Sequence, residues 1–235
     1  MIATFMLEIA MAVYVIFNYR HLFVARLITA TLLCLGSFQL AEWMVCQGAM
    51  GISSMGWAKI GFVAISFLPP LGIHISNSIA GKKNNKLIAT GYGLAVVFSG
   101  YFLFATRGIS DSICGGNYVI FQLAPGAVNM FSGYYYMMLL IGTGIALYYS
   151  VKTKDTNIKS ALQWMSIGYI SFMLPTVLAV IRYPSASSGI PSIMCGFAVL
   201  LALILVLFVL PRYLASLKTV SSNSSYNKDH KTSQA

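Results

Sequence analysis

Apolar residues fall in long unbroken runs, and polar residues collect between them. Seven runs stand out, at roughly Ile2–Phe17, Leu22–Cys46, Trp57–Ala80, Leu87–Thr106, Ser132–Val151, Ala161–Ile181 and Ile190–Leu214. Most are about 18–25 residues long, the length of a helix that crosses a bilayer. Barrel strands would instead alternate over segments of roughly ten residues. Inside hydrocarbon every backbone N–H and C=O must be satisfied by the chain itself, and continuous apolar runs achieve this as helices. The pattern predicts an all-α integral membrane protein, a seven-transmembrane-helix bundle over 1–214. A Ser-, Asn- and Lys-rich tail, 215–235, reads as disordered and cytoplasmic. The first run starts at Met1 with no basic segment before it, so it reads as a span and not as a cleaved signal peptide.

The longest connection lies between the fourth and fifth spans, from Arg107 to Phe131. It opens with the turn-rich ISDSICGGN and continues as YVIFQL, APG and AVNMF. Two β-prone runs around the Pro125-Gly126 turn predict a short extracytoplasmic β-hairpin that lids the outer face. Three of the prolines inside spans should interrupt them. Pro69 and Pro70 remove two donors midway along the third run and predict a break there, while Pro175 predicts a kink in the sixth. Carbonyls freed in this way must find other donors.

Composition sharpens the class. The chain is 58% hydrophobic and 9% charged, with a mean hydropathy of +0.77. A soluble domain carries about 25% charged residues, so this chain lacks the charge to cover a water-facing surface. A net charge of +10 invites a nucleic-acid reading, but its placement argues otherwise. Arg20, Arg26, Lys82, Lys83, Lys86, Lys152, Lys154, Lys159, Arg212, Lys218, Lys228 and Lys231 sit on one set of connections. The alternate set holds Lys59, Arg107 and Arg182, a division of 12 against 3. The positive-inside rule then places the protein in the cell membrane with its N-terminus outside and its C-terminus in the cytoplasm. The basic residues read as topology determinants and anionic-lipid contacts, with no nucleic-acid partner.

Polar residues within the runs are the candidates for chemistry. Glu8 lies in the first run, where an acid either snorkels to the surface or is paired. Gln39, Glu42 and Cys46 share one helical face of the second run, and Lys59 lies at the depth of Glu42 on the third, which suggests a Glu42–Lys59 ion pair. Tyr134, Tyr135 and Tyr136 read mainly as an interfacial anchor belt, with Tyr135 or Tyr136 turned toward a cavity. The candidate ligand-binding set is therefore Glu8, Gln39, Glu42, Lys59 and Tyr135. Cys46 and Cys114 share the oxidising side and could form a disulfide, whereas Cys34 and Cys195 lie within spans and read as buried and inert. His74, near the proline pair, reads as a packing residue or as a proton or ligand site. With His21, His74 and His230, no HExxH and no clustered Cys, no metal site or cofactor is expected. No nucleophile, base and acid share a depth, so no catalytic residues are expected and the chain reads as a non-enzyme. The seventh run holds no Lys, which excludes a retinal Schiff base there.

Four segments together carry a family likeness. They are the EW–loop–W-x-K–run–FLPPL pattern of Glu42–Leu71, the SGYYY opening at Ser132, LQWMSIGYISFMLP at Leu162–Pro175, and the IPSI…VLP frame of Ile190–Pro211. In this order and spacing they resemble the seven-transmembrane N-terminal sensor region of bacterial histidine kinases, over almost the whole chain to about Tyr213. The resemblance implies a signal-input module linked through its last helix to an output. After the last span come no heptads, no phospho-acceptor His motif and no ATP-binding domain, so a stand-alone module without kinase activity is expected. Its partners would be the bilayer, a small ligand in the outer half, and a separate signalling protein or a second copy. A small transporter or channel and an accessory membrane subunit are the alternative readings.

Overall fold

The computed structural model describes residues 1–48, 51–105, 108–115, 119–182 and 190–219. Among them, seven helical stretches are long and apolar enough to cross a membrane, as the hydropathy pattern predicts. They are Ile2–Tyr19 (α1), Phe23–Gln47 (α2), Ser54–Ser66 continued by Leu68–Ile79 (α3 and α4), Asn85–Phe104 (α5), Pro125–Lys152 (α6), Thr156–Arg182 (α7) and the stretch that opens with Ile190–Ile204 (α8). Beyond α8 the chain passes through a π-helical turn, Leu205–Val209, and is α-helical again over 210–219. The last span therefore runs to Thr219 and not to the expected boundary at 214. Residues 220–235 of the expected tail lie outside the described residues.

Local chemistry sets the helix ends. Gly48 closes α2 with φ 63, a conformation glycine adopts without a Cβ penalty, and its N–H reaches Met44 O at 2.9 Å. Ser53 Oγ accepts from Gly56 N at 3.1 Å and caps α3. Asp155 Oδ1 accepts from the N–H groups of Asn157 and Ile158 and caps α7. The central elements are α2, packed against α1, α3, α4 and α8, and α4, packed against α2, α6 and α7. On the outside, Phe17, Val96, Val97, Met130, Val151 and Ile181 are exposed and belong to the belt that hydrocarbon covers.

The third span breaks where the proline pair predicts. Phe67 (φ −85, ψ −13) separates α3 from α4, and the prolines occupy the first turn of α4, where a missing N–H is no loss. In an unbroken helix the N–H at position 70 would reach Ser66 O. That carbonyl instead accepts from Tyr134 Oη on α6 at 2.7 Å, so a neighbouring helix repairs the break. By contrast, α7 runs through Pro175 as one helix. Lower in the bundle the Tyr169 hydroxyl is wedged between the glycine backbones of α4 and α6: a Cβ on Gly72 would stand 1.9 Å from it and one on Gly142 3.0 Å.

The hairpin forms, but from different strands than expected. β1 (Ile109–Cys114) pairs antiparallel with β2 (Val119–Leu123), with Cys114 opposite Val119 and Ile109 opposite Leu123. The strands flank GGN and not APG, and AVNMF forms the start of α6. The reason is that Pro125 suits the first position of a helix, with its φ preset and no donor to lose, while Gly-Gly-Asn is turn chemistry. Alternation along β2 buries Val119 and Phe121. The Phe121 ring enters an aromatic cluster, 5.3 Å from Phe62 and 6.0 Å from Phe38, and Phe62 lies 4.7 Å from Phe102. Such pairs contribute about 0.5–1.5 kcal/mol each beyond burial. They matter here because an isolated two-stranded hairpin is marginal by itself.

Candidate functional site

A cavity of about 450 Å³ lies at the hairpin end of the bundle. β2 forms one wall through Phe121 and Leu123, α6 another through Phe131, Ser132, Tyr135 and Tyr136, and α8 a third through Met194 and Cys195. Among the described residues no charged side chain lines it. Tyr135, Met194 and Cys195 also border a separate void of about 20 Å³ deeper in the bundle, closed by Leu139, Met165 and Tyr169. A void of that size has room for a single water.

Of the five candidate ligand residues, Tyr135 alone stands in the cavity wall. Gln39 lies behind it and donates to Cys195 O at 2.8 Å, fixing α8 to α2 beside the cavity. Glu42, only 2% exposed, contacts Ser192 Oγ of α8 through its Oε1. Ser192 Oγ in turn contacts Val119 O and accepts from Val119 N–H at 3.1 Å. Glu42 and Ser192 thus join α2, α8 and β2 at one point. Glu8 is fully buried on α1, and neither of its oxygens has a hydrogen-bond partner among the described residues. Both acids lie within electrostatic reach of the Cys195 thiol.

Several expectations are corrected. Glu42 and Lys59 do not pair with each other, because Lys59 Nζ donates to Leu103 O at 3.0 Å, at the carbonyl end of α5 where the helix dipole favours a cation. Glu8 is buried rather than snorkelling outward. Tyr134 points inward to Ser66 O and not into an anchor belt, whereas Tyr135 stands at the cavity as expected, with Tyr136 beside it. The expected pairing of Cys46 with Cys114 is present, as a disulfide with Cα atoms 5.8 Å apart, which ties β1 to the end of α2. His74 belongs to the opposite end, with Nδ1 3.2 Å from Tyr92 Oη and its ring edge-on to Phe23.

No protein-family model matches this chain, and no curated protein matches it. The site is therefore described by its own residues.

Sequence reasoning passed over three of them. Ser192 is one small polar residue in IPSI, and no periodicity distinguishes it. Phe121 was legible in principle, since Val119 and Phe121 alternate with less buried neighbours. Tyr134 reads as an interfacial anchor, and the carbonyl it serves is free only because Pro70 cannot donate. A further grouping lies at the far end of the bundle. Arg212 donates through Nε to Ser160 Oγ at 2.6 Å and through Nη1 to Phe208 O at 3.1 Å, and its guanidinium lies 5.3 Å from the Trp164 ring. Trp164 and Phe208 stack at 4.2 Å, clamping the last span to α7.

Proposed function

We propose that this chain is a membrane-embedded sensor, or signal-input module, that takes a neutral and mostly apolar small molecule beneath its hairpin and signals through a partner. The cavity of about 450 Å³, with no charged side chain in its lining among the described residues, carries this reading; its size lies within the range of small-molecule sites. An ion entering such a wall would lose its hydration with nothing to replace it. Alkyl or aromatic surface fits against Phe121, Phe131 and Met194, and Ser132 and the tyrosine hydroxyls can orient a polar atom of the ligand. The ligand-binding role thereby moves from Glu8, Gln39, Glu42 and Lys59 to the apolar walls, with Gln39 and Glu42 positioning them.

The resemblance to histidine kinase input regions supports the same reading, as does the positive-inside bias, which turns the hairpin end outward and the Arg212 end to the cytoplasm. Signal passes along the last span. Its first turns border the cavity at Met194, and it continues through the π-helical turn to Arg212 and the Trp164 stack. π-Turns within helices recur at functional sites. A ligand that displaces Met194 shifts this span against α7, and a separate signalling protein or a second copy reads the shift at the far end.

The test is a thermal-shift panel on protein in lipid nanodiscs, using medium-chain alcohols, quinones and aromatic esters beside charged counterparts. Neutral compounds should raise the melting temperature, by the equivalent of about 2.7 kcal/mol at a hundredfold excess over Kd. Met194→Trp fills the cavity and should abolish the shift while helicity and membrane insertion persist. Equal shifts in wild type and Met194→Trp would refute the site. Net movement of a bound compound across proteoliposomes would turn the reading to a transporter.

A further inference from the structure

We propose that Glu42 forms a buried proton-binding site, and that its proton completes the latch holding the hairpin over the cavity. The inference follows from counting protons at Ser192. Its hydroxyl oxygen meets three groups: Glu42 Oε1, Val119 O and Val119 N–H. A hydroxyl carries one hydrogen and two lone pairs. The Val119 N–H uses one lone pair. The single hydrogen cannot serve both Glu42 Oε1 and Val119 O, since a carboxylate oxygen and a carbonyl oxygen are both acceptors. All three contacts are satisfied together only when Glu42 carries a proton and donates it to Ser192 Oγ, leaving the serine hydrogen for Val119 O.

Glu8 points the same way from an independent observation. Its carboxyl is completely buried with neither oxygen partnered among the described residues. A bare carboxylate in hydrocarbon is strongly disfavoured, whereas the neutral acid is tolerated. Among the described residues, little in the surroundings would keep Glu42 ionised. α1 presents Glu8, α8 presents the Cys195 thiol, and the Met1 amino group lies within electrostatic reach of both acids. On α3 the Lys59 ammonium is engaged by Leu103 O, and on β1 Asp111 is exposed, with its carboxylate accepting from Ser112 N. α4 contributes His74, which sits at the other end beside Tyr92.

The sign is fixed by the count. When the proton leaves Glu42 for water, the carboxylate recruits the Ser192 hydrogen, Val119 O loses its donor, and the hairpin keeps one contact to α8 where it had two. Low pH seats the hairpin and high pH loosens it. The regulated site is the cavity of the proposed function, on which the physiological sense of the latch rests, but the latch itself is testable without any ligand.

The experiment is hydrogen exchange of the β2 amides in nanodiscs at about pH 5 and about pH 8, corrected for intrinsic base catalysis. In wild type the corrected exchange at Val119 and Phe121 should rise with pH by roughly two- to tenfold, the effect of one net hydrogen bond. In Glu42→Gln the amide N–H replaces the acid proton at both pH values, so the dependence should vanish and protection should stay high. Ser192→Ala should exchange fast at both. Unchanged wild-type exchange, or wild-type pH dependence persisting in Glu42→Gln, overturns the proposal whether or not Ser192→Ala folds. If no apolar compound binds yet the pH dependence appears, the ligand reading fails and the latch stands; the reverse result separates them the other way.

Discussion

Gly72 and Tyr169 offer a direct measure of how tightly the broken third span is packed. A Cβ on Gly72 would stand 1.9 Å from Tyr169 Oη, 2.9 Å from Cζ and 3.1 Å from Cε1. Ordinary contact begins at 3.4 Å, so Gly72→Ala creates an overlap of 3.4 − 1.9 = 1.5 Å. The ring has little room to retreat toward α6, because the Gly142 backbone lies so near the same hydroxyl that a Cβ there would stand 3.0 Å from it. Overpacking of this kind costs about 1–3 kcal/mol, and an overlap of this size belongs at the upper end. Tyr169→Phe removes the colliding oxygen and leaves Cζ as the nearest atom, an overlap of 3.4 − 2.9 = 0.5 Å. Alone, Tyr169→Phe should be nearly neutral, because the hydroxyl has no hydrogen-bond partner among the described residues. It faces Ser76 Oγ without meeting hydrogen-bond geometry. Gly72→Ala should therefore lower stability clearly in wild type and much less in Tyr169→Phe, with a coupling energy of about 1–2 kcal/mol. Unfolding of all four proteins in one micelle composition measures it. An equal loss from Gly72→Ala in both backgrounds would show that α4, α6 and α7 do not meet at this hydroxyl.

Two further outcomes follow from single contacts. Tyr134→Phe strips the donor from Ser66 O and should cost about 1–3 kcal/mol for the buried carbonyl; Pro70→Ala restores a backbone N–H to that acceptor and should reduce the loss, read by the same unfolding assay. Thiol-reactive polyethylene glycol should tag neither Cys46 nor Cys114 before reduction, and reduction should lower the melting temperature of wild type but not of the Cys46→Ser/Cys114→Ser protein. Soluble proteins lose about 2–5 kcal/mol with a native disulfide, and the loss here should sit at the low end because α3, α4 and α5, inside the loop, remain inserted.

The spans were legible because hydrocarbon imposes a length and a composition that a sequence cannot disguise. The break at Phe67 was legible because a proline pair has a local effect that no packing reverses. The hairpin was half legible. Its existence follows from β-prone residues, but its register turned on whether Pro125 ends a turn or starts a helix, and the long apolar helix after it decides that choice. The polar seams were the least legible. Glu42 and Lys59 were matched by depth alone, yet depth says nothing about which way a side chain faces around the helix axis. Ser192 lies 150 positions from Glu42 in the chain, and its role comes from the way α8 closes against α2. The apolar cavity could not be foreseen either, because walls of Phe, Met and Val look the same in a sequence whether they meet a neighbour or a void.

Under the proposed function, the placement of the polar groups also favours one element as the one that moves. Each buried polar residue at the hairpin end that finds a partner on another span finds it across a seam, and those seams converge. Gln39 holds Cys195 O, Glu42 holds Ser192, and Ser192 holds β2, so α2 and the hairpin both grip the first turns of α8. At its far end the last span is gripped again, through Arg212 and the Trp164–Phe208 stack. Met194 of the cavity wall lies within the first grip, between Ser192 and Cys195, and the π-helical turn leads into the second. A ligand can shift an equilibrium only by binding one arrangement better than another, and in the proposed function Met194 supplies that difference, since a flexible thioether can vacate or fill the cavity at little expense. The proteins' broken third span, welded by Tyr134 and wedged by Tyr169, is in contrast built to stay still. Under the proposed function, motion then has one route, along the last span, from a cavity wall that yields to a clamp that must slip.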